Sequence, residues 1–114
     1  MDEMTAVFPQ VVRQLEAAFG KNKAFIDQVR HAQVVRVTFD AETNAGYIYV
    51  RAGRELNAVE RNIIGVKHGQ TIEVPADLWM NIDLDNFERL MGVEILTPPS
   101  EMAAHLSDQS HRRL

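Results

Sequence analysis

The run WMNIDLDNFERLMGVEIL, Trp79 to Leu96, concentrates side chains that could do chemistry. Asp83 and Asp85 stand two apart, and Glu94 lies in the apolar run that follows. Three carboxylates of this kind are hard oxygen donors of the sort that hold calcium, magnesium or manganese. An EF-type calcium loop, however, needs a central glycine and a terminal glutamate. After Asp85 this chain has Asn86, Phe87, Glu88 and Arg89. The preferred expectation is therefore a hairpin that is acidic on its polar face, with Asp83 and Glu94 as cross-strand neighbours. Asp85 and Asn86 would start its turn by accepting backbone N–H groups. If helix covers Glu94, it must find Arg36, Arg51 or a backbone donor.

The four histidines, His31, His68, His105 and His111, are far apart in sequence. His68, beside Lys67 in the glycine-flanked stretch GVKHGQ, is the histidine best placed to meet a ligand from a loop. The same stretch lacks the Gly-Lys-Ser/Thr ending of a phosphate loop, which excludes that reading. Tyr47 and Tyr49 share one strand face, with Arg36 and Arg51 able to sit near them. Such aromatic platforms occur in single-strand nucleic-acid binders, but aromatic neighbours also simply stabilise sheets.

Hydrophobic periodicity shows which elements must carry these residues. Phe8, Val11, Val12, Leu15, Ala18 and Phe19 recur at helical spacing. Thr5 is the expected cap, Pro9 suits the first turn, and Gly20 is the expected left-handed stop. A second helix is expected from Asn22 to His31. At Gln33 the period changes to two. VVRVTFD places Val35, Val37 and Phe39 on one face and Val34, Arg36 and Thr38 on the other. AETNAG is a turn and GYIYVRA the returning strand. AGRE is a second turn, centred on Gly53. LNAVERNII reads as a weaker strand, GVKHGQ as a loop and TIEVP as a short strand. Leu78, Met80, Ile82 and Leu84 then oppose Trp79, Asn81, Asp83 and Asp85. Met91, Val93 and Ile95 oppose Leu90, Gly92, Glu94 and Leu96. Pro98 and Pro99 stop the last strand, and Ser100 with Glu101 starts a short helix through Leu106 before a frayed end.

At 114 residues the chain reads as one fold: an N-terminal helical segment (1–32), a β domain (33–97) and a C-terminal tail (98–114). The fold class is α+β, two helices packed on an antiparallel meander of about five strands. With no cysteine, disulfides, thiolate metal sites and cysteine nucleophiles are excluded. The start MDEMTAVFPQ has no basic region of a signal peptide, and no apolar run approaches membrane-spanning length. A cytoplasmic location is expected. The net charge is −4, with eight acids and one Lys or Arg between Thr71 and Asp108. That half repels phosphate, which disfavours nucleic acid.

Two pieces, VTFDAETNAGYIYV and NIDLDNFERLMGVEIL, resemble the two hairpins of a family of small β-rich bacterial and phage domains, domain-of-unknown-function family 2283. The resemblance covers about Val34 to Leu96 and implies a compact antiparallel β domain. It further implies a partner-binding or antitoxin-like role without assigned chemistry. The helical N-terminus and the His68 region depart from the family pattern.

The function expected is a non-enzymatic interaction or regulatory domain, working as a homodimer or with a protein partner and without a cofactor. Phe8, Val12, Leu15 and Phe19 on the helix and Trp79 on the sheet are the expected interface anchors. The competing readings are a metal-dependent or ligand-binding enzyme using Asp83, Asp85 and Glu94, and a single-strand nucleic-acid binder using Tyr47 and Tyr49.

Overall fold

The N-terminal apolar stripe folds into helix in two pieces. The computed structural model, which describes residues 2–52, 56–57 and 65–112, starts with a single turn, α1 (Met4–Val7), followed by α2 (Pro9–Phe19). Pro9 occupies the first turn of α2, where its missing N–H costs nothing. Thr5 does not cap this helix. It lies inside α1 and its hydroxyl donates to the Arg30 carbonyl at 3.0 Å. Gly20 is also not left-handed, with φ −57° and ψ −21°. A Cβ at this position would come within 2.7 Å of the Glu16 carbonyl oxygen, so the glycine permits a close approach. Helix α3 (Lys23–His31) has Asn22 as its cap, whose Oδ1 accepts the Phe25 N–H at 3.1 Å.

Among the described residues, five strands form one antiparallel sheet: β1 (Gln33–Asp40), β2 (Ala45–Arg51), β3 (His68–Val74), β4 (Trp79–Asp85) and β5 (Leu90–Leu96). Their spatial order is β1-β2-β5-β4-β3. β3, β4 and β5 run as a meander, and the β1–β2 hairpin joins it through β2 and β5. The α+β class is as the periodicity predicts. The turn expected around Gly53 and most of the expected strand LNAVERNII (58–64) lie outside the described residues.

Simple alternation fails at two bulges. The β1 register skips Val35, so Val34 and Val37 both enter the core while Val35 is half-buried. The β4–β5 register skips Met91, which turns Leu90 inward beside Leu84. A bulge adds one residue to one strand and thereby reverses the facing of everything beyond it. A third bulge, at Gly69, allows β3 to begin at His68. His68 therefore stands in a strand and not in a loop.

The last helix, α4 (Ser100–Ser110), is longer than expected and is not a frayed tail. Met102 and Leu106 enter the core, and Leu106 packs against Gly46, where a Cβ would come within 2.8 Å of Leu106 Cδ1. The His105 ring meets Phe8 edge-on, and its Nε2–H donates to the Val7 carbonyl at 2.6 Å. Helices from both ends of the chain and one sheet face thus share a single core. Gln14 and Gln28 fasten helices to the sheet, accepting the N–H groups of Leu78 (2.7 Å) and Leu90 (3.3 Å).

This arrangement corrects the expected partner surface. Phe8, Val12 and Leu15 are buried in the chain's own core, and Phe19 packs against it with its ring edge-on to Phe25. Only Trp79, 54% exposed, keeps a free face. An apolar helix stripe of this size meets the nearest apolar surface first, and that surface is the sheet of the same chain.

Candidate functional site

The helices cover one side of the sheet. On the other side stand Arg36, Thr38, Tyr47, Tyr49, Thr71, Asn81, Asp83 and Glu94, and no described helix packs over them. The sequence candidates meet here, though not in the grouping expected. Asp83 lies opposite Gly92, and Glu94 lies opposite Asn81, so the two acids are not direct cross-strand neighbours.

A row of hydrogen bonds crosses the sheet through Asp83. The Tyr47 hydroxyl donates to Asp83 Oδ2 at 2.6 Å, spanning from β2 to β4. It can do so because β5 contributes Gly92 between them. A Cβ on Gly92 would lie 2.6 Å from Tyr47 Cζ, so the absent side chain is the trough that seats the ring. From β3, the Thr71 hydroxyl donates to Asp83 Oδ1 at 2.5 Å. With that proton committed, His68 Nε2–H donates to Thr71 Oγ1 at 3.0 Å and stands 3.4 Å from Asp83 Oδ1. Burial, then the bond to Asp83, push the Tyr47 phenol well above its ordinary range. Tyr47 is therefore a donor at neutral pH, neither a base nor a nucleophile.

Asp85 serves a different structure. It is 3% exposed and sits at the β4–β5 turn. Its Oδ1 accepts the N–H groups of Phe87 and Arg89, both at 2.8 Å, and its Oδ2 accepts Arg89 Nε–H at 2.8 Å. This bears out Asp85 as the residue that starts the turn. The turn includes Glu88 at φ 60°, a conformation unfavourable for a residue with a Cβ. Glu94 is half-buried and accepts Asn81 Nδ2–H at 3.2 Å, so its partner is neither Arg36 nor Arg51. The three acids considered as metal ligands are thus committed to three separate local structures. Among the described residues, no group of three or more His, Asp or Glu is placed to hold a metal ion.

At the β1–β2 end the face changes character. Tyr47 and Tyr49 contact each other with centroids 4.4 Å apart, and the Arg36 guanidinium lies 5.6 Å from the Tyr49 centroid. Tyr49 is 40% exposed. The sequence showed that the tyrosines share a face. It could not show that one of them is tied down across two strands, because Tyr47 and Asp83 are 36 residues apart. The sequence clue was Gly92 itself: a glycine inside a strand often marks a close approach.

No described helix is long and apolar enough to cross a membrane. No family model, no curated protein and no solved structure matches the chain.

Proposed function

We propose that the protein is a non-enzymatic interaction or regulatory domain that acts in the cytoplasm as a homodimer, with the sheet rather than the helices as its contact surface. The observation that carries this reading is the one-sided sheet. The helix stripe is used up in the chain's own core, while Trp79 and Tyr49 remain exposed on the opposite face. Large aromatic side chains with a free face are typical interface anchors, because they bury much area at little rotamer cost. The acids support the same reading, since each stabilises the fold through donors already in place. An antitoxin-like role, which the family resemblance implies, belongs to this class of function.

Native mass spectrometry of the purified protein tests it. A dimer carrying no added mass is the expected result. A bound ion or small molecule in stoichiometric amount, lost on Asp83→Asn, would overturn the reading and make the hydrogen-bonded row a ligand site.

A further inference from the structure

Strand β1 is an edge of the sheet, and the described residues pair with only its first half. Near its start, Val34 N–H donates to the Asp2 carbonyl at 2.8 Å, Met4 N–H donates to the Ala32 carbonyl at 2.8 Å, and Glu3 bridges Gln33. Past the bulge at Val35, no described backbone group pairs with the outer side of residues 36–40. The Thr38 carbonyl points inward to β2, lying 3.1 Å from where a Gly46 Cβ would sit. Alternation along an antiparallel strand then directs the N–H and C=O groups of Val37 and Phe39 outward. A groove of about 400 Å³ runs beside this stretch, lined by residues 35–39 and by Ser110 and Arg112 at the end of α4.

The stretch is complementary to itself. We propose that two copies of this chain pair antiparallel through residues 36–40 of β1, with the two-fold axis at Thr38, joining their sheets edge to edge. This rests on the homodimer reading above but seats the contact on the edge of the sheet, so that Trp79 and Tyr49 on the open face stay exposed in the dimer. In that register Arg36 faces the partner's Asp40 twice on the open face. Val37 faces the partner's Phe39 twice on the helix-covered face, where Val37 is buried and Phe39 partly buried. The outward groups of Val37 and Phe39 are then the ones that exchange hydrogen bonds. Moving the axis to Arg36 or Asp40 would set like charges opposite each other, which is unfavourable. The other edge, β3, carries the guards that discourage pairing: the Gly69 bulge, exposed His68, Gln70 and Glu73, and Pro75 at its end.

The absence of cysteine allows a direct test by single substitutions. Thr38→Cys places two thiols at the axis in a non-hydrogen-bonded pair, with Cα atoms about 4.5 Å apart, within disulfide reach. Gln70→Cys and Trp79→Cys probe the other edge and the open face. Under mild oxidation the Thr38→Cys protein is expected to convert to a covalent dimer, and the other two to remain largely uncrosslinked. Cross-linking through Trp79→Cys or Gln70→Cys instead would overturn the β1 interface and leave the homodimer reading standing. A monomer for the unmodified protein in sedimentation equilibrium at about 100 μM, far above the Kd expected of a specific dimer, would overturn both. Arg36→Asp should raise the dimer dissociation constant about 10-fold, from two lost charge pairs and two repulsions. Adding Asp40→Arg should restore it to within about 3-fold. A reversed pair as weak as the single variant would overturn the register. Far-UV circular dichroism checks that each variant folds.

Discussion

Replacing Asp85 by Asn should destabilise the protein by about 2–4 kcal/mol. The carboxylate is 3% exposed and accepts three hydrogen bonds at 2.8 Å, two from backbone N–H groups and one from the Arg89 guanidinium, which is itself only 18% exposed. The amide keeps an oxygen for the two backbone donors, but as a neutral acceptor of roughly half the strength. Its NH2 group would face Arg89 Nε–H, donor against donor, so the charge-assisted bond is lost as well, at about 1.5–3 kcal/mol. Asp85→Ala removes all three hydrogen bonds and should cost about 3–5 kcal/mol, the range for breaking a buried ion pair. Urea denaturation at pH 7, followed by circular dichroism, measures the difference through the midpoint at unchanged slope. The thermal midpoint of the Asn variant should fall by roughly 6–20 °C for a chain of this size. Glu88→Gln, at the exposed neighbour in the same turn, should stay within about 0.5 kcal/mol. A loss below about 1 kcal/mol for Asp85→Asn would refute the assignment of Asp85 to the turn. A gain in stability would refute it more sharply, because carboxylates kept for function are commonly held at a cost to the fold.

Three further outcomes follow from the open face and the β3 bulge. Tyr47→Phe should cost about 1–2 kcal/mol in the same assay through the lost bond to Asp83. The folded-state pKa of Tyr47 lies above its ordinary 10.0. The folded form therefore holds the phenol proton more tightly, and this stability is full below pH ~10 and falls as the pH rises beyond it. An alkaline absorbance titration should show Tyr47 ionising well above the ordinary range of a phenol, and the alkaline loss of stability should be shallower in Tyr47→Phe. Gly92→Ala should cost about 1–2 kcal/mol, because only the Tyr47 ring must move, and most of that cost should vanish in a Tyr47→Ala background. Gly69→Ala should cost more, about 3 kcal/mol, because its Cβ would meet the Asp85 and Asn86 backbone, 3.0 Å from Asn86 N, and that backbone cannot swing aside. Equal costs for the two glycines would refute this account of both.

Much of the fold was legible in the residues themselves. The helix stripe, the second helix starting near Asn22, the hairpin turn within AETNAG and the change of period at Gln33 are local signals, each set by side-chain spacing or turn chemistry. The α+β class followed from them, and so did Asp85 as a turn residue. Facing within β1 and β5 did not follow, because a bulge inserts one residue without a local signature and its position is set by the strand alongside. The order β1-β2-β5-β4-β3 depends on pairing between residues far apart in the chain, which hydrophobic pattern leaves open. The fate of the acids was decided in the same way. Three carboxylates near one another in sequence read as a possible cluster. Only the tertiary structure could assign Asp83 to Tyr47 and Thr71, Asp85 to Arg89, and Glu94 to Asn81. Residue type determines that a half-buried carboxylate must find donors, and the packing of distant strands determines which donors it finds.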